Sequence, residues 1–175
     1  DIVDVDGFRA RIREEIAEGY KPSCDYKFSI DTREALVKKQ KIEFPEEFLK
    51  RWLKARNSDL TDEMIENDFT MFLEDLKWQV IKENIVKEEG IKVDEEDVMN
   101  LARQMAAAQF RQYGMFNVPE EHLDGFAKQM LTKEDDRERY FRKAQEDKIF
   151  DAIKGKVSIE IKKVSKEEFE KMFEA

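Results

Sequence analysis

The stretch from Thr61 to Glu89, which contains neither glycine nor proline, constrains the fold of this chain more than any other feature. A helix of that length rises about 1.5 Å per residue and spans roughly 40 Å. Thr61 is a suitable N-cap and Gly90 a suitable stop. The whole chain has only 6 Gly and 3 Pro among 175 residues, and 42% of its residues are charged. This composition predicts a mostly α protein with long helices and argues against a sandwich or a barrel.

The apolar residues of this predicted helix fall on two faces. The first face has the spacing of a core stripe and comprises Ile65, Phe69, Phe72, Leu76 and Val80. The second face lies roughly 120° away and comprises Met64, Met71, Trp78 and Ile85, which recur every seven residues. A helix with two apolar faces either packs on two sides or keeps one face for something else.

Capping signals and apolar spacing predict further helices on both sides of this one. We expect them over residues 4–18, from Asp31, from Pro45, from Asp94 to Gly114, from Pro119, over about 133–154, and after the capping box of Ser165 and Glu168. Acidic first turns such as Glu95-Glu96-Asp97 are explained by the helix macrodipole and need no metal.

Two segments alternate apolar and polar residues as a strand does. Residues 19–30 contain Pro22 and predict a short strand or an extended connector after Gly19. Residues 157–161 predict one more strand. The apolar members are Tyr26, Phe28 and Ile30 in the first segment and Val157, Ile159 and Ile161 in the second.

Charge and composition exclude several classes of function. Acidic residues outnumber basic ones by 41 to 32, which disfavours nucleic acid as a partner. One cysteine, Cys24, allows no internal disulfide. No apolar run reaches the roughly 18 residues of a membrane span, and no secretory leader is visible. The chain begins at Asp1 without Met, so we expect a fragment of a longer protein. Nothing in the sequence signals an oxidising compartment, and we expect a cytoplasmic location.

The side chains that carry catalysis are scarce. The one histidine, His122, follows two glutamates at a predicted helix start, so we expect it at the surface. Cys24 has no CxxC partner, and the chain has no glycine run that could hold phosphate. No cofactor and no metal are predicted, and a binding module is favoured over an enzyme.

Apolar side chains are present in excess of one stripe per helix. The chain has 7 Met and 13 Phe, and methionine-rich surfaces can repack around different ligands. Three apolar residues also occupy a turn that is normally polar. The residues we single out for binding apolar segments of other chains are Met64, Met71 and Trp78 on the long helix, and Tyr113, Met115, Phe116 and Val118 at the turn.

Four stretches, in their order and spacing, resemble the C-terminal chaperone domain of the trigger factor family. They are Val5 to Glu14, Arg33 to Leu49, Gly90 to Val98, and Gln145 through Phe169. The resemblance covers nearly all of the chain. It departs from the family at residues 19–30, where family members often run helix and this chain has Pro22.

The resemblance implies a mostly α, extended domain with two protruding helical arms around a cradle, and one or two short strands. It divides the chain into body helices (1–57), arm helices (58–133), and a closing helix, short strand and terminal helix (134–175). It also implies ATP-independent holding of unfolded or nascent polypeptides. Ribosome binding and prolyl isomerisation belong to family domains without a counterpart here. In particular, Gly7-Phe-Arg9 lacks the glycine and proline that follow in the docking motif.

Two other functions stay open from the sequence alone. One is the chaperone part of a parvulin-type extracytoplasmic folding factor, and the other is a helical scaffold that binds one specific protein. Neither involves nucleic acid or a membrane, and weak self-association is compatible with all three readings.

Overall fold

A computed structural model describes residues 4–173 of the chain. Over these residues it has seven α-helices and no strand, so the mostly α prediction is confirmed. The helices are α1 (Val5–Lys39), α2 (Glu46–Arg56), α3 (Asp62–Glu89), α4 (Glu95–Gln112), α5 (Glu120–Met130), α6 (Glu134–Lys154) and α7 (Lys166–Lys171). No helix within these residues is both long and apolar enough to cross a lipid bilayer.

The strand or connector predicted at residues 19–30 was wrong, although the helices predicted on either side of it are both present as parts of α1. Helix α1 runs without interruption through Gly19 and Pro22, where a helix end and a strand or connector were expected. Asp31 does not cap a new helix, because its carboxylate accepts a hydrogen bond from Lys27 one turn earlier. The alternation of residues 26–30 was therefore misleading. Pairs between residues i and i+4, such as Lys27 with Asp31, favour the helix and offset the unfavourable effect of Pro22.

The predicted strand at residues 157–161 is also absent. These residues have neither helical nor strand structure, and the three apolar side chains there are exposed. A single strand is not stable without a partner to share its backbone hydrogen bonds. Within residues 4–173 no second strand is present to pair with it.

Most helix ends lie where the sequence signals predicted them. Asp94 with Asp97, and Ser165 with Glu168, form complete capping boxes. The amide of Met64 donates to Thr61 Oγ1 at 3.2 Å, as expected of a cap on α3. These side-chain bonds satisfy amides that the first helical turn leaves without partners.

The chain divides into two compact units. Unit 1 contains the residues up to Ile81 and those from Ile161 onwards, and unit 2 is Lys82–Glu160. In unit 1, Arg33 of α1 pairs with Asp75 of α3, and Lys50 of α2 donates to Glu66 of α3 at 2.6 Å. Among the described residues of this unit, the buried side chains all belong to α3 and are Ile65, Phe69, Trp78 and Ile81.

Unit 2 is built around α4, which packs against α5 and α6. Ala102 and Ala106 of α4 and Ala127 of α5 have no exposed surface. Such small side chains let two helices approach closely. The remaining buried residues of the unit are Val98, Leu101, Ala144, Ile149 and Ile153.

Candidate functional site

The turn that follows α4 presents large apolar side chains to solvent. Tyr113 and Phe116 are 73% and 75% exposed, and Met115 is 46% exposed. Val118 is half-buried. The structure thus brings the four candidate residues of this turn together within one short segment of unit 2, and three of them are open to solvent.

The turn is fixed by its backbone. Gly114 has a φ of 77°, a conformation that favours glycine because it has no Cβ. Its amide donates to the carbonyl of Arg111 at 2.9 Å, and the amide of Met115 donates to that of Phe110 at 3.0 Å. These two bonds are the Schellman pattern of a helix C-terminus. The exposed side chains therefore project from an ordered backbone.

The last turn of α4 packs against α5. The rings of Phe110 and Phe126 lie 5.3 Å apart between centroids. Two turns earlier, the Arg103 guanidinium forms two bonds to the Asp124 carboxylate, with Nη2 to Oδ2 at 3.1 Å. This hydrogen bond lowers the pKa of Asp124 and raises that of Arg103, since each stabilises the charged form of the other.

The other candidate residues lie on α3 in unit 1, and the structure places them differently from one another. Met64 and Met71 are 47% and 62% exposed, while Trp78 is only 4% exposed and belongs to the core. Met64 and Met71 are two helical turns apart, about 10 Å along the axis. The face that the sequence predicted as continuous is therefore open at its N-terminal part and closed at Trp78.

Sequence reasoning missed one exposed apolar stripe. Phe8, Ile12 and Ile16 have the four-residue spacing of an apolar stripe within the helix predicted over residues 4–18. All three are exposed, and among its described residues α1 has no buried one. A spacing of four residues reports a shared helical face but not whether that face is covered. No signal in the sequence distinguished these residues from core residues.

The side chains that could bind a metal are dispersed over the described part of the chain. Among residues 4–173 no group of three or more His, Cys, Asp or Glu side chains could hold a metal ion. Cys24 is exposed. His122 is also exposed, in agreement with its predicted surface location.

Comparison with protein families identifies residues 24–173 with the model described as "Probable trigger factor, C-terminal domain". The chain belongs to this family. The match begins at residue 24, so it includes residues 24–30 of the segment where a departure was predicted but not Pro22, and residues 24–30 are helical in the structure. Searches of curated proteins and of solved structures gave no match. Membership of the trigger factor family implies a chaperone role, and the matched part is the family's C-terminal domain rather than its isomerase domain.

Proposed function

We propose that this trigger factor domain is an ATP-independent chaperone that holds unfolded or nascent polypeptides through exposed apolar side chains. The observation that carries the proposal is the ordered turn after α4, where Tyr113, Met115 and Phe116 are exposed on a backbone fixed by Gly114. Because the turn is already ordered, the free energy gained when a client segment buries these side chains is not reduced by the entropic cost of ordering the turn.

The expected affinity for any one client segment is low. Complete burial of one large apolar side chain contributes roughly 1.5–3 kcal/mol. The loss of conformational freedom in the client offsets much of this gain. Few side chains are available at the turn, so binding is weak, tolerant of sequence, and reversible without nucleotide.

Met64 and Met71 form a second candidate surface, on α3. Both thioethers are exposed, and flexible methionine side chains adapt to differently shaped apolar partners. Trp78 is left out of this surface because its indole is buried. We assign Met64 and Met71 a supporting role, since two side chains bury less apolar area than the aromatic residues of the turn.

The finer features of the proposal follow from the family. We propose that the clients are nascent or unfolded chains in the cytoplasm, and that these residues act without catalysis or cofactor. The division into body, arm and closing segments at residues 57 and 133 stays a prediction. Ribosome docking and prolyl isomerisation are not proposed for the residues given.

The test is suppression of aggregation of a chemically denatured enzyme during refolding, followed by light scattering. The wild-type domain at several-fold molar excess should reduce scattering, and the Tyr113→Ser/Phe116→Ser variant should reduce it much less. Phe141→Ser is the matched control, because Phe141 is also an exposed aromatic residue of unit 2 but lies on α6. This control should retain suppression.

Two results would count against the proposal. Scattering that is unchanged by the wild-type domain would remove the holding function. Stoichiometric binding to one folded protein, with none to unfolded chains, would favour the scaffold alternative instead.

A further inference from the structure

A groove of about 620 Å³ lies in unit 1, between α1 and the segment that leads into α7. Ala17 and Tyr20 of α1 line it on one side and Phe169 of α7 on the other. The rings of Tyr20 and Phe169 are in edge contact, 5.9 Å apart between centroids. Phe169 also contacts Phe173 in the same manner at 5.2 Å. The apolar side of the groove is therefore held by aromatic packing and exists before any ligand binds.

The opposite side of the groove is basic. Lys162, Lys163 and Lys166 line it, and no acidic side chain is among the described lining residues. Lys163 forms no ion pair within residues 4–173, and Lys166 has only an exposed pair with Glu170 at 3.7 Å. The chain as a whole has a formal charge of −9, so this groove is a local exception to an acidic protein. Charge complementarity favours a ligand that carries carboxylates.

Two acidic side chains near these lysines, Glu168 and Glu170, are not among the residues that line the groove. The Glu168 carboxylate accepts a hydrogen bond from the Ser165 amide at 2.8 Å, and this bond holds the pKa of Glu168 below its ordinary value. Lys162 lowers that pKa further as a nearby positive charge. Glu168 is therefore engaged chiefly in the helix cap, and Lys162 and Lys163 form no ion pair within residues 4–173.

The backbone beside the groove is open to pairing. Residues 161–164 have no regular structure, and within residues 4–173 none of their N–H or C=O groups forms a backbone hydrogen bond. Ile161, at the start of this segment, is 85% exposed. An extended peptide can pair with such a segment through its own main chain and place alternate side chains in an adjacent groove.

We propose that this groove binds extended peptide segments in which large apolar residues alternate with acidic ones. The apolar side chains would contact Tyr20 and Phe169, the carboxylates would face the three lysines, and the main chain would pair with residues 161–164. A second copy of this chain does not fit, because pairing the segment with itself brings Lys162 and Lys163 close to their own equivalents. The site shares no residue with the turn after α4, so its ligand preference is separable from the proposed holding function.

The experiment uses the full chain and three labelled ten-residue probe peptides. The first alternates valine and glutamate around a central phenylalanine, and the second has lysine in place of each glutamate. The third repeats the first with N-methyl groups that block main-chain donors on the pairing edge. Binding is measured by fluorescence anisotropy. The acidic peptide should bind about tenfold more tightly than the lysine peptide, since two or three exposed charge pairs together contribute about 1.4 kcal/mol. The N-methylated peptide should also bind more weakly than the acidic peptide, because it cannot donate main-chain hydrogen bonds to residues 161–164.

Cys24 supplies a footprint of the bound position. It lines the groove and is the single cysteine of the chain, so its alkylation by iodoacetamide can be followed by mass spectrometry. The acidic peptide at saturation should slow this alkylation several-fold. Binding without any change in the alkylation rate would place the peptide elsewhere and overturn the proposal.

Charge reversal provides the decisive comparison. Lys162→Glu/Lys163→Glu should lose affinity for the acidic peptide and gain it for the lysine peptide. Lys39→Glu/Lys41→Glu makes the same change in net charge on exposed lysines, of which Lys39 lies more than 20 Å along α1 from the groove. This control should leave both affinities unchanged, and circular dichroism verifies that both variants fold.

Three further outcomes would overturn the inference. The first is equal binding of the acidic and lysine peptides, and the second is unchanged affinities after the charge reversal. The third is protection of Cys24 from alkylation by oleate but not by peptide, which would assign the groove to fatty acids. Tyr113→Ser/Phe116→Ser should bind the acidic peptide normally. Loss of client holding in that variant, with peptide binding intact, would show that the two sites are independent.

Discussion

At the scale of single residues, the conformation of Gly114 positions the exposed aromatic side chains. Replacement by alanine at a φ of 77° forces a side chain into the left-handed region, which costs roughly 1–2 kcal/mol. We expect Gly114→Ala to lower the free energy of unfolding by about that amount and to weaken client holding. Both effects follow from distortion of the same turn, and they are measured by urea denaturation and by light scattering.

Gly125 is the matched control for this change. It lies inside α5, and no atom lies within 4 Å of the place where its Cβ would be. Gly125→Ala should therefore raise the free energy of unfolding by roughly 0.5–1 kcal/mol, because alanine is the better helix former. Equal effects of the two substitutions would show that the turn does not depend on a left-handed glycine.

The ion pair between Arg103 and Asp124 makes the stability of unit 2 depend on pH. The guanidinium hydrogen bond lowers the folded-state pKa of Asp124 below its ordinary value of 3.8. The unfolded chain therefore binds the proton more readily, and the contribution of this pair is present above pH 3.8 and lost as the pH falls through the lowered pKa. Wild type should be more stable than Asp124→Asn at pH 7. This difference should shrink in denaturant titrations carried out progressively below pH 3.8. A difference that stays constant down to pH 2 would contradict this assignment.

At the scale of elements, α1 tests how a helix tolerates an internal proline. Pro22 cannot donate the hydrogen bond that an interior position normally makes, and proline in a helix interior costs about 3 kcal/mol relative to alanine. Pro22→Ala should increase stability by about 1–3 kcal/mol and change far-UV circular dichroism little, because α1 is already continuous through residue 22. Pro45→Ala is the control, because Pro45 is the N-cap residue of α2 and interrupts no helix. If residues 19–30 were instead a connector, Pro22→Ala would give no such gain in stability.

The helices also show which features of the fold the sequence could predict and which it could not. Helix ends with a side-chain cap, such as Asp94 and Ser165, were predicted because the cap and its partner are three residues apart. The continuity of α1 through residues 19–30 was not predicted, because Pro22 and the alternation of residues 26–30 are local signals that point away from a helix. The pair of Arg33 with Asp75 joins α1 to a residue distant in sequence, and local patterns do not report such pairs. Burial is likewise a tertiary property, so Met71 and Trp78 share a predicted face although one is exposed and the other buried.

At the scale of the whole molecule, the buried core is unevenly divided between the two units. Among residues 4–173, eight of the twelve buried apolar residues lie in Lys82–Glu160, which is one continuous stretch of chain. Unit 1 is assembled from two separate stretches, and its buried residues all belong to α3. A continuous segment with its own core is the usual condition for independent folding.

We therefore expect a fragment of residues 82–160 to fold alone, with helical circular dichroism and one cooperative thermal transition. The fragment retains the turn after α4, so it should also suppress aggregation, and Tyr113→Ser/Phe116→Ser within the fragment should abolish this activity. Because Met64 and Met71 are missing from the fragment, the difference between its activity and that of the full chain measures the part played by α3. A fragment that folds cooperatively but suppresses no aggregation would move the holding function away from the turn and onto unit 1.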